Sequence, residues 1–176
     1  VNTSLNNKYL VKEEGLIFPL SSIRNVGSII SSYIIEQRNN IPFKDIYDFL
    51  RRTYKKTNNK KVIESLIYSH ALSCFNLNMK TLINNMDSIL NYIELTQDID
   101  DTIIPKPEIT YYDEFDDNDI LEHEKELFGF YLTSHKTEKY KLNYPNITDL
   151  NNIKDNFGKN IDVIVNVDNI KEVITK

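Results

Sequence analysis

A mainly helical fold with a short β segment toward its end is what this sequence predicts. Four stretches between residues 28 and 95 repeat apolar side chains at helical spacing, a fifth helix opens at Asp119, and β-branched residues recur at every second position from Ile161 to Val167. The 176 residues suffice for one ordinary domain or two small ones, each with its own core. Hydrophobic residues make up 40% and charged residues 27%, an ordinary globular balance. No apolar run approaches the roughly eighteen residues of a membrane span, which excludes an integral helical membrane protein. The single cysteine, Cys74, excludes a disulfide framework and any cysteine-based zinc site, and is expected to be a small core residue. The sequence opens on Val1 with no charged-then-apolar leader behind it, so no secretory signal is expected.

Residues 1–22 carry no long period. Leu16-Ile17-Phe18-Pro19-Leu20 reads as an edge strand, the strand position that tolerates proline. The first helix is expected from Ser28 to Arg38, with Ile30, Tyr33, Ile34 and Ile35 on one stripe and Asn39, Asn40 and Pro42 closing it. A second runs from Asp45 to Tyr54 on Ile46, Phe49 and Leu50. A third runs from Lys60 to Ser69 on Val62, Ile63, Leu66 and Ile67. The fourth and longest runs from Asn78 to Leu95 on Leu82, Ile83, Met86, Ile89, Leu90 and Ile93. Residues 96–118 lack a period and contain Pro105 and Pro107, the mark of a partly extended linker. Asp119-Ile120-Leu121-Glu122 has the form of a capping box. The helix it opens runs into Leu127–Leu132, apolar on nearly every side and so expected to be buried. The strand signals at Ile161–Val167 and Val173–Thr175 come last. Two strands alone are marginal in water, so a sheet begun here needs more strands or a surface to dock on.

The net charge of −5 is unevenly laid out. Residues 1–93 hold twelve Lys/Arg against seven Asp/Glu, a balance of +5. Residues 94–129 hold two against thirteen, or −11, and residues 130–176 hold seven against six, or +1. A pI near 5.3 argues against nucleic acid for the chain as a whole, but an electrostatic footprint is local, and the first half is basic.

Ile23-Arg24-Asn25-Val26-Gly27 stands between the apolar stretch and the first helix. A tight turn ending at Gly27 would aim backbone N–H groups outward at a helix N-terminus, where unpaired donors and the positive end of the helix dipole suit a phosphate. Gly27 would allow a close approach and a left-handed turn. Asn25 is the best substitute for glycine in that conformation.

Five motifs in one order extend this reading. They are Val1-Asn2-Thr3-Ser4; Leu16 to Gly27; Pro42-Phe43-Lys44-Asp45 with Asp48-Phe49; Lys61 to Ile67 followed by Ala71; and Glu122 to His135. Together they resemble the C-terminal part of the bacterial replicative DNA polymerase III alpha subunit family, over residues 1 to about 140. The resemblance implies the tail of a fingers region at 1–22 and a tandem helix-hairpin-helix DNA-binding domain at 23–95. After these would come the acidic linker at 96–118, a linker helix at 119–145 and the incomplete start of an OB-fold at 146–176. It implies non-sequence-specific grip on the backbone of duplex primer-template DNA during replication, in the cytoplasm at the nucleoid. The residues it points to are Arg24, Asn25, Val26, Gly27 and Ser28, with Lys55, Lys56, Lys60 and Lys61 from the basic run Arg51, Arg52, Lys55, Lys56, Lys60 and Lys61. The family's catalytic carboxylates and their magnesium belong to a palm domain with no counterpart here. No cofactor, no catalytic residue and no polymerase activity are therefore expected of this stretch alone.

The chain departs from the family's pattern at several positions. Asn25 replaces a glycine in the first hairpin, His70 and Asn76 replace two in the second, and Ser73 replaces an aspartate. Ser134 and Lys136 replace the glycine and proline around His135. Such relatives also carry a clamp-binding peptide. Gln97-Asp98-Ile99-Asp100-Asp101 has its glutamine without the phenylalanine, and Tyr112-Asp113-Glu114-Phe115 the aromatic without the glutamine. The rival reading is a non-catalytic adaptor whose degenerate second hairpin has lost DNA and whose acidic linker docks the sliding clamp or another replisome subunit. His123 and His135, with Glu122, Glu124 and Glu126, lack the H-E-x-x-H spacing of a zinc helix, and no metal site is expected.

Overall fold

The computed structural model describes residues 1–13, 15–97, 104–144, 146–167 and 169–173, and they form two compact units, Val1–Phe130 and Tyr131–Lys176. In the first unit a two-stranded antiparallel ribbon, β1 (Leu10–Lys12) and β2 (Gly15–Ile17), pairs Leu10 with Ile17 and Val11 with Leu16. The apolar stretch expected as an edge strand therefore supplies β2 only through Ile17. Pro19 instead leads a single 3-10 turn at Leu20–Ser22.

Four helices follow close to the expected limits: α1 (Ser28–Asn40), α2 (Ile46–Thr57), α3 (Lys60–Tyr68) and α4 (Met79–Leu95). Their stripes meet in one core containing Ile34, Phe49, Leu50, Ile63, Leu66, Ile89 and Ile93, all essentially sealed from solvent. Phe49 meets Phe43 edge-on at 5.1 Å, and Tyr47 meets Tyr92 at 5.8 Å. The lead-in segment is pinned to this body. Asn2 exchanges two 2.9 Å hydrogen bonds with the Phe43 backbone, and Arg38 donates to the Ser4 carbonyl at 2.7 Å. Asn2 of the Val-Asn motif is thus a structural residue.

Residues 104–115 run extended across α4. The last helix of this unit, α5 (Asp117–Phe128), opens two residues before Asp119. Its cap is Asp116, whose carboxylate accepts from the Asp119 N–H at 2.9 Å. It stops at Gly129, which takes the left-handed conformation (φ 81°) and returns its N–H to the Lys125 carbonyl. Leu127–Leu132 is accordingly not a buried helical run: the helix ends inside it, and Phe130 is exposed beside Phe18 and Phe128.

The second unit holds a short helix, α6 (Glu138–Lys141), and a 3-10 turn at Leu150–Asn156. The strand expected at Ile161–Val167 does not form among the described residues. Alternation makes a strand only when one face is covered and the backbone finds a ladder. Here Val163, Val165 and Val167 are 39, 61 and 67% exposed, and the Thr148 N–H to the Asp162 carbonyl is the backbone contact recorded for the segment. The second strand signal falls largely on residues 174–175, outside the described residues.

Candidate nucleic-acid interface

The first hairpin tip is built by Val26. Its side chain is fully buried, and it anchors a turn in which the Val26 N–H donates to the Ile23 carbonyl at 3.1 Å. That N–H is consumed by the turn, contrary to the expectation that it faces a phosphate. Asn25 adopts the left-handed conformation (φ 70°), and its amide donates to the hydroxyl of Ser65 on α3 at 3.0 Å. A glycine could make the turn but not this bond. Gly27 is the N-cap of α1 at φ −1°, so the left-handed residue of the turn is Asn25 and not Gly27.

The donors this tip offers lie one step further on. The first helical bond of α1 runs from the Ser31 N–H to the Gly27 carbonyl, which leaves the N–H groups of Ser28, Ile29 and Ile30 ahead of the helical ladder. Gly27 has no side chain to cap them, and nothing lies within 4 Å of where its Cβ would stand. The other long helices are all capped by a side chain: α2 by Asp45, α3 by Asn59, α4 by Asn78 and α5 by Asp116. Lys56 and Glu36 line an open groove with Ser28, Ser32 and Tyr33, which brings one cation and one carboxylate to the uncapped end.

The basic run divides by role. Arg51 reaches the hydroxyls of Tyr92 and Thr96, and Arg52 binds the Ile41 carbonyl and Asp48 while lying 4.5 Å over the Phe43 ring. These two guanidiniums hold the fold. Lys55, Lys56, Lys60 and Lys61 are exposed. Lys60 contacts Asp87 at 2.8 Å, and that hydrogen bond holds its ammonium above the usual range. Arg24 lies 4.0 Å from Glu126 with both side chains mostly in solvent, a weak pairing that a phosphate can replace.

The second tip keeps the backbone that glycine would give. His70 (φ 59°) and Asn76 (φ 56°) are, with Asn25, the non-glycine residues of positive φ among the described residues. His70 occupies the position after the α3 cap in a Schellman arrangement, with its N–H on the Ile67 carbonyl and that of Ala71 on the Leu66 carbonyl. Its ring meets the fully buried Glu124 of α5 at 3.3 Å. Beside it His123 stacks on Tyr68 at 3.6 Å, and Phe115 packs against both rings. Cys74, expected in the core, is exposed in the turn between.

Sequence reasoning missed how residues 104–115 are held. Asn85 donates to the Thr110 carbonyl at 2.7 Å and accepts from its N–H at 3.0 Å. Thr81 accepts from the Tyr112 N–H at 3.0 Å, and Asn78 donates to the Tyr112 carbonyl at 2.7 Å. Glu114 then accepts from the N–H groups of Met79, Lys80 and Phe115 at 3.0, 3.1 and 2.9 Å. Burial pushes its carboxyl up, but the backbone N–H groups of Met79, Phe115 and Lys80 outweigh burial and hold it below the usual carboxylate range. The available signal was the polar triplet Asn78, Thr81 and Asn85, at spacings of three and four beside the apolar stripe of the helix. Tyr112–Phe115, one clamp-peptide candidate, is hydrogen-bonded to α4, with Tyr112, Asp113 and Glu114 exposed. The other, Gln97–Asp101, falls on 98–101, outside the described residues.

Residues 1–82 match the helix-hairpin-helix motif family. The chain is 31% identical over 96% of its length to DNA polymerase III subunit alpha of Staphylococcus epidermidis RP62A. Against the same subunit of Staphylococcus aureus it is 31% identical in strain MRSA252 and 30% in strain MSSA476. In each case it spans 16% of that protein's length. The resemblance carried by the five motifs is thus shown along nearly the whole chain.

Proposed function

We propose that this chain, a relative of about one sixth of a replicative polymerase subunit, holds duplex primer-template DNA by its phosphates during replication, at the nucleoid in the cytoplasm. The observation that carries the reading is the uncapped N-terminus of α1. Among the described residues no acceptor meets the N–H groups of Ser28, Ile29 and Ile30, at the positive end of a 13-residue helix, with Lys56 and Glu36 lining the groove beside it. Backbone donors cannot read bases, so the grip is independent of sequence. Arg24, Lys55, Lys60 and Lys61 add counterion release. The helical ends supply position and charge, and the chain's part in polymerisation is to hold the duplex, not to perform the chemistry.

The test is a fluorescence-anisotropy titration of the full chain with a short labelled duplex at several salt concentrations. Affinity should fall with log salt at a slope of roughly −0.9 per phosphate contacted, and Lys56→Ala should make that slope shallower by about 0.9. No binding at low salt would overturn the reading and favour the adaptor, with the sliding clamp as the partner to try.

A further inference from the structure

The N-terminus of α4 already holds an anion. Its first three N–H groups all have side-chain acceptors: Met79 and Lys80 on the two oxygens of Glu114, and Thr81 on Asn78 at 2.7 Å. Glu114 is an exposed residue, so nothing seals this carboxylate in place. It is delivered by the extended segment from Ile104 to Phe115. That segment is fastened at Pro107 by the Tyr47 hydroxyl (2.7 Å), at Thr110 by Asn85, and at Tyr112 by Thr81 and Asn78. Asp113 precedes Glu114 in this acidic stretch, and Asp116 and Asp117 go on to cap and open α5.

We infer that residues 104–115 form an autoinhibitory strap whose Glu114 carboxylate occupies the place a DNA phosphate would take on α4, closing the second hairpin until the strap lifts. The inference rests on the DNA-holding reading above. A carboxylate and a phosphate are bound by the same backbone donors and the same dipole, so they compete for one position. Bonds to strap backbone fix its place along α4, and the single carboxylate fills the anion position. Removing the charge alone therefore opens the position without releasing the strap.

The experiment follows backbone amide shifts of the full chain on titration with a short duplex, for the wild type, Glu114→Gln and Thr110→Pro. The proline removes the N–H that Asn85 accepts and loosens the strap from its own side, so it answers the question if the glutamine variant folds poorly. The wild type should shift at Ser28, Ile29 and Ile30 and stay silent at Met79 and Lys80. Either variant should shift at both sets, bind roughly 2- to 5-fold tighter, and show a salt slope steeper by about 0.9. Wild-type affinity with unmoved Met79 and Lys80 amides in both variants would overturn the strap while leaving the first hairpin's role intact. Shifts at Met79 and Lys80 without any at Ser28–Ile30 would sustain the strap and overturn the first hairpin's role. No shift in any protein would overturn both.

Discussion

At the first hairpin tip, Ser28, Ile29 and Ile30 have N–H groups that no side chain meets among the described residues. At the second, Met79, Lys80 and Thr81 have all of theirs met by Glu114 and Asn78. Both tips use left-handed asparagine or histidine, so backbone geometry does not separate them. What separates them is what lies on top. Glycine at the cap leaves α1 open, whereas an acidic segment brought from 35 residues further along the chain closes α4. The two helix ends thus differ in their caps: a glycine of the turn itself at the first, a carboxylate from outside the turn at the second.

The largest expected effect comes from making the first tip like the second. Ser28→Glu puts a carboxylate in the first turn of α1. Its own stability should rise by about 0.3–1 kcal/mol through the dipole. Duplex affinity should fall about tenfold, since about 1.4 kcal/mol is within reach of one like charge near a phosphate. Anisotropy and thermal melting on the same sample check both signs, and a melting point that drops would break the comparison. Next comes Asn25. Asn25→Gly keeps the turn and loses the Ser65 bond, costing about 1 kcal/mol. Asn25→Ala loses the bond and also pays for a left-handed alanine, so it should cost about 1–2 kcal/mol more. Denaturant midpoints that fail to rank wild type, glycine, alanine would show that the bond to Ser65 does not join the tips.

The smallest effect sharpens the second tip. The Glu114 carboxyl sits below its ordinary value of 4.5 when folded, so its bonds to Met79, Phe115 and Lys80 contribute stability that is present above pH 4.5. That contribution is lost as pH falls through the lower folded value. The melting-point difference between wild type and Glu114→Gln should therefore shrink across that acid range. A difference that stays constant down to the bottom of the range would show that the carboxylate is not what the helix end holds.

The four core helices were legible because each buries one stripe, and Leu82, Met86 and Ile89 on α4 announce their partner by spacing alone. The first tip was legible through Arg24–Ser28, but the turn itself uses the Val26 N–H, and the open donors are those of Ser28, Ile29 and Ile30, which only the hydrogen-bond pattern reveals. The strap was not legible as a bound element. It has no period, and at Thr110 and Tyr112 its bonds run from helix side chains to strap backbone, which leaves no imprint on those residues, while the carboxylate of Glu114 is one acid among many in this stretch. The strand at Ile161–Val167 failed for the opposite reason: its pattern is present, but the described residues of its unit give it no face to cover.

That mode of holding the strap has a consequence for how the segment can drift. Asn85 and Thr81 grip positions 110 and 112 by peptide groups alone, so those positions are free to change identity in any way that keeps an N–H. A saturation library across 108–114 should therefore return nearly every residue at 110 and 112 and reject one, proline. At Glu114 it should tolerate only what can accept two hydrogen bonds. A family of such chains would look unrelated along this stretch and still fold it onto the same helix.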